Sequence, residues 1–168
     1  MRLLRRMLAA LMVFVLVAAG VFHARSEYLI NRPVPALARA DARADAYYFA
    51  YGTNMSSRYL FNVRDIRAAQ SQPGRVDQHE IVFLGPGVNA LEPAFAYLVK
   101  AETKTAHGVL HRLTREDLEK IRNSERAQYE WSAVPVVTAD GSVVSAHTLW
   151  RAAGPAGIPS RRYLNLLV

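Results

Sequence analysis

Cysteine is missing altogether from the 168 residues, which excludes disulfides, thiol catalysis and cysteine-ligated zinc while fitting an oxidising or a reducing compartment equally. Also missing is any basic run interleaved with aromatics. The net charge of +7 and pI near 10.0 invite a nucleic-acid reading, but residues 1–46 hold seven Arg against three acids, leaving 14 basic residues against 11 acids in the remainder. A body so mildly basic argues against a nucleic-acid partner. No Gly-x-Ser-x-Gly elbow surrounds Ser56 or Ser57, so a serine hydrolase has no support. Gly85-Pro86-Gly87 lacks the Lys-Ser/Thr of a phosphate loop. His107 and His111 have the spacing of a helical metal pair, but the residues around Gly108-Val109-Leu110 read as strand. There the two would lie about 13 Å apart, too far to share an ion, and no metal is expected. Internal repeats and low-complexity tracts are absent as well.

What is present begins with a membrane signal. Arg2, Arg5 and Arg6 precede Met7 to Phe22, 16 apolar residues without a charge and without the 3.6-residue polar period of a buried helix. The run is close to the roughly 17 residues of a spanning helix and just above the apolar core of a cleaved signal, about 7 to 15. Anchor and signal peptide both fit. Either keeps the basic end in the cytoplasm, so the expected location is membrane-anchored or secreted, with the domain on the non-cytoplasmic side. Residues 1–24 are read as this segment and 25–45, rich in Arg, Ala and Pro, as a linker with a short helical piece around Ala36 to Ala44. Residues 46–168 have the size of one domain.

Within that domain, Tyr48-Phe49-Ala50-Tyr51 alternates as a strand and runs into Gly52-Thr53-Asn54-Met55, with Gly52 expected to take a backbone conformation closed to other residues. Asn54, Ser56 or Ser57 can cap a helix over Ser57 to Asp65, whose apolar face would be Tyr59, Leu60 and Val63. Further strands are expected at Val76–Leu84, Phe95–Ala101 and Ala106–Leu113, then a helix capped by Thr114, with Leu113, Leu118 and Ile121 facing the core. Glu116, Asp117 and Glu119 suit its first turns. Tyr129–Thr138 and Ser142–Trp150 flank Asp140-Gly141, a hairpin signal, and Ser160 caps a final helix, Arg161 to Leu167. Backbone N–H groups in the loop after the first strand are candidates to bind a carboxylate or an oxyanion. Glu125, at a helix-to-strand junction beside Tyr129, reads from composition as a surface acid, though the same setting suits a partly buried base.

The train of segments Tyr48-Phe49-Ala50-Tyr51-Gly52-Thr53-Asn54-Met55, Val88-Asn89-Ala90 with Pro93, Gly108-Val109-Leu110, Leu113-Thr114-Arg115-Glu116-Asp117-Leu118, Glu125 with Tyr129, Asp140-Gly141, and Pro159-Ser160 with Arg162-Tyr163-Leu164 resembles the gamma-glutamylcyclotransferase-like (AIG2-like) family from Tyr47 to the C-terminus. The resemblance implies an α+β fold, a mixed barrel-like β-sheet with a few short flanking helices, here preceded by one N-terminal hydrophobic helix. It implies no cofactor, and conversion of a gamma-glutamyl amino acid or amine to 5-oxoproline plus free amine. It makes Glu125 the catalytic acid/base, with Tyr51, Gly52, Thr53, Asn54 and Tyr129 binding the gamma-glutamyl substrate. Departures from the family pattern are Thr53 for the usual serine, Arg122 for an Asp and Arg126 for a Gly. They imply an alternative, a catalytically silent relative that binds a small ligand or acts as a cell-envelope interaction module.

Overall fold

The computed structural model describes residues 2–34, 43–85, 92–125, 129–151 and 154–167. They fall into two compact units, Met1–Pro33 and Val34–Val168. The first is a single helix, α1 (Arg2–Asn31), in which Leu4–Arg25 is long and apolar enough to cross a membrane. Phe14 and Phe22 stand exposed on it, as apolar side chains do on a helix with no core to bury them. The helix continues past residue 24 into the stretch read as linker. Most of Ala36 to Ala44 lies outside the described residues, as do Pro86, Gly87, Val88 to Ala90, Arg126 and Gln128.

The second unit is α+β. Its strands are β1 (Ala46–Ala50), β2 (Gln70–Leu84), β3 (Phe95–Leu113), β4 (Glu130–Thr138) and β5 (Val143–Trp150), closed into a barrel in the order β1-β3-β2-β4-β5. Helices α2 (Ser57–Arg64), α3 (Arg115–Ser124) and α4 (Arg161–Asn165) are short. β1 lies between β3, antiparallel, and β5, parallel. Its alternation sorts the residues into two cores. Phe49 and the following Tyr51 join Val76, Leu98, Leu110 and Val136 in one; Ala46, Tyr48 and Ala50 join Leu60 of α2, Ile66 just beyond it, and Leu118 and Ile121 of α3 in the other. Covered on both faces, β1 has to be apolar throughout, which is why its sequence is an aromatic run and not a half-polar strand.

The caps follow the sequence reading. Ser56, Thr114 and Ser160 accept from the backbone N–H of Tyr59, Asp117 and Tyr163 at 3.2, 3.1 and 2.9 Å, each cap contributing about 1 kcal/mol. Asp140-Gly141 closes the β4–β5 hairpin, with Gly141 at φ 84° and Thr138 N–H donating to Ser142 O at 2.9 Å.

Three expectations need correction. Phe95–Ala101 and Ala106–Leu113 are one strand: β2 pairs with it up to Lys100 and again from Thr105, and Ala101 to Lys104 bulge out of the ladder between His79 and Asp77 without interrupting the extended backbone. Val63 is 48% exposed; Leu60 and Ile66, both fully buried, fill the core in its place. Gly52 has φ −118° and ψ −150°, extended backbone open to any residue, so its conformation does not require glycine.

Candidate active site

The chain leaves β1 at Ala50 and makes a 3-10 turn over Thr53–Met55, held by Met55 N–H to Gly52 O at 2.9 Å and Ser56 N–H to Thr53 O at 3.2 Å. First-turn N–H groups, here those of Thr53 and Asn54, are the ones such a turn leaves without an internal partner. Asn54 is buried and fixed from both ends. Its backbone carbonyl accepts from His111 Nε2 at 2.9 Å, while Ser71 Oγ lies 2.7 Å from His111 Nδ1. A carbonyl can only accept, so Nε2 carries the proton and the Ser71 hydroxyl donates to Nδ1. Burial pulls the His111 pKa down to about 4, which keeps the imidazole neutral.

The Asn54 side chain reaches the other half of the site. Its Nδ2 donates to Tyr48 Oη at 3.0 Å and to Glu125 Oε1 at 3.3 Å. Glu125 follows directly after α3, in extended conformation, and its side chain is 15% exposed. Oε1 also takes Arg64 Nη2 at 2.5 Å, whereas Oε2 has no hydrogen-bond partner among the described residues. The carboxylate is therefore tethered by one oxygen and offers the other.

Tyr51 belongs to the barrel core, whereas Tyr129 packs against the core formed with α2 and α3. Tyr51 is buried and donates to Leu149 O at 2.6 Å; Tyr129 stacks on Tyr97 with centroids 4.8 Å apart. Burial raises the pKa of Tyr48, Tyr51 and Tyr129, so each keeps its hydroxyl proton. The α4 segment adds Tyr163, whose hydroxyl accepts from Ala96 N–H at 3.1 Å and whose pKa burial pushes up to about 12. Glu92 locks that segment, accepting from Ser160 Oγ at 2.7 Å and Arg162 Nη1 at 2.5 Å.

Among the residues singled out in the sequence, Glu125 and Asn54 meet directly; Thr53 is half-buried in the turn. Arg122 is exposed and pairs with Glu119 at 3.6 Å, away from the Glu125 hydrogen bonds. His107 is exposed while His111 is buried, and no metal-binding group of His, Asp and Glu occurs among the described residues. Arg64, Tyr48 and Tyr163 are the residues sequence reasoning missed as site members. Tyr48 and Tyr163 lay within segments already singled out, but nothing marked their hydroxyls; Arg64 had no signal at all.

The profile of the family described as gamma-glutamyl cyclotransferase, AIG2-like, matches residues 48–165. A comparison with curated proteins finds no match. Among solved structures, the domain is similar to one described as gamma-glutamyl cyclotransferase, with 17% identity, TM-score 0.63, and 73% of this chain and 75% of that chain covered. An uncharacterized protein from Homo sapiens gives 17%, 0.62, 73% and 75%, and a protein from Arabidopsis thaliana 20%, 0.55, 67% and 72%. At such identities the structural likeness speaks for the fold, and the profile match speaks for descent: the chain belongs to the gamma-glutamyl cyclotransferase, AIG2-like family.

Proposed function

We propose that the domain is a cyclotransferase that converts a gamma-glutamyl amide to 5-oxoproline and free amine, with Glu125 as general acid/base. The observation that carries this reading is the convergence of Glu125 on the Tyr51–Asn54 loop, 3.3 Å from Asn54 Nδ2, with Oε2 left for a ligand. The substrate's α-ammonium gives a proton to that oxygen, and the amine attacks its own γ-carbonyl carbon. The oxyanion of the tetrahedral intermediate takes hydrogen bonds from loop N–H groups; Glu125 gives its proton to the departing nitrogen as the carbonyl reforms and the C–N bond breaks, and the second proton on the ring nitrogen passes by way of the freed carboxylate to the released amine, leaving the neutral lactam. Because nucleophile and electrophile lie in one molecule, holding the substrate folded lowers much of the barrier. Tyr129 and the loop residues Tyr51, Gly52 and Thr53 would shape the pocket for the gamma-glutamyl group.

The basic flank at Arg2, Arg5 and Arg6 supports a cytoplasmic N-terminus, with α1 as membrane anchor or signal and the domain on the other side. A C-terminal reporter active only in the cytoplasm tests this: activity there contradicts it.

A panel of gamma-glutamyl amino acids, amines and glutathione, read by release of 5-oxoproline, tests the reaction. A second reading, a silent relative that binds without turnover, is favoured by the 2.5 Å Arg64–Glu125 pair, which occupies half of the carboxylate. Binding of a panel member with no 5-oxoproline released selects that second reading.

A further inference from the structure

We propose that Arg64 is the positioning residue of this site, setting the Glu125 carboxylate and the Asn54 amide in one arrangement; the inference rests on the cyclotransferase reading above. Arg64 lies in the last turn of α2. Just beyond it Asp65 turns the chain at φ 53°, and Ile66 N–H returns to Leu60 O at 3.0 Å. Leu60 and Ile66 are both fully buried, so the helix end that carries Arg64 is pinned to the core.

From there the guanidinium spends each nitrogen on a different residue. Nε donates to Asn54 Oδ1 at 2.9 Å, Nη2 to Glu125 Oε1 at 2.5 Å, and Nη1 to Ser124 Oγ. Its Cζ sits 5.8 Å from the centroid of the Tyr59 ring, and the side chain is only 15% exposed. Two consequences follow. With Oδ1 on Arg64, the Asn54 amide has one orientation, Nδ2 toward Tyr48 and Glu125. With Oε1 taken by Arg64 and Asn54 together, Oε2 is always the oxygen that faces a ligand. A planar fork with donors in three directions can do this; a lysine ammonium, a single nitrogen on a flexible stem, cannot. Arg122 does not substitute for it, being bonded to Glu119 on an exposed face.

The test uses the full 168-residue chain in detergent, with 5-oxoproline release measured for wild type, Arg64→Ala, Arg64→Lys, Glu125→Gln and the double variant Arg64→Ala/Glu125→Gln. Arg64→Ala is expected to lower kcat by about 100-fold, the scale of a misplaced catalytic group, with KM changed by less than about 5-fold. Arg64→Lys stays at least about 10-fold below wild type despite its charge. Added methylguanidinium restores part of the kcat of Arg64→Ala, and the double variant is no slower than Glu125→Gln alone. Should Arg64→Ala fail to fold, Arg64→Lys and its melting temperature carry the comparison. An Arg64→Ala or Arg64→Lys variant with wild-type kcat overturns the assignment and leaves the role of Glu125 standing. Wild-type protein that releases no 5-oxoproline from any panel member overturns both.

Discussion

A β-carbon placed on Gly52 would lie 3.2 Å from the hydroxyl of Tyr163. That contact, and not the backbone dihedral, is the structural reason for glycine at this position. The hydroxyl cannot easily give way, since Ala96 N–H holds it at 3.1 Å and Phe95 packs edge-on against the ring at 5.2 Å. Gly52→Ala should therefore destabilise the domain by about 1 kcal/mol and raise KM. In a Tyr163→Phe background, where the hydroxyl is gone, the same change should cost measurably less, which thermal melts of the four proteins would reveal. An equal cost in both backgrounds would remove Tyr163 as the cause.

A close approach of the same kind governs Gly108 on β3, where a β-carbon would lie 2.2 Å from Ala50 O and 2.8 Å from Phe49 Cζ. The first neighbour is backbone and the second is fully buried, so neither can move aside. Gly108→Ala should cost about 3 kcal/mol, visible as a fall in the denaturant midpoint. An unchanged midpoint would mean that β1 and β3 are not this tightly apposed.

His111 makes stability depend on pH. Its folded pKa, about 4, lies below the ordinary value near 6.5, so the unfolded chain binds the proton first. The stabilisation is complete above pH 6.5, declines as pH falls through the window toward 4, and is level below it, a loss of about 3 kcal/mol. Carboxylates also titrate near the lower end, so the diagnostic comparison is with His111→Gln. The variant should be less stable at pH 7 and lose less between pH 6.5 and 4. Parallel curves for the two proteins would assign the pH dependence elsewhere.

Much of the fold was legible because its signals are local. Ser56, Thr114 and Ser160 announce helix starts through their own chemistry, and Asp140-Gly141 announces a turn. The long β3 strand was not legible, because Glu102 to Thr105 are polar and exposed and, apart from Thr105, bulge out of the ladder between the two paired halves. The site divides the same way. The Tyr51–Asn54 loop and Glu125 were found through resemblance to the family, whereas a lone arginine ending a short helix looks like any solvated charge. Arg64 gains meaning from its contact with Glu125, 61 residues further along the chain. At Gly52 the local sequence suggests a turn conformation, while the constraint comes from Tyr163, more than 100 residues further along the chain.

The central claim is that the Glu125 carboxylate moves the proton in cyclisation. Its most direct measurement is 5-oxoproline release by wild type and Glu125→Gln, side by side with ligand affinity and melting temperature. The amide keeps size and hydrogen bonding but cannot take the α-ammonium proton, so turnover should fall by roughly two to four orders of magnitude, with affinity and melting temperature little changed. Full turnover by Glu125→Gln would contradict the account.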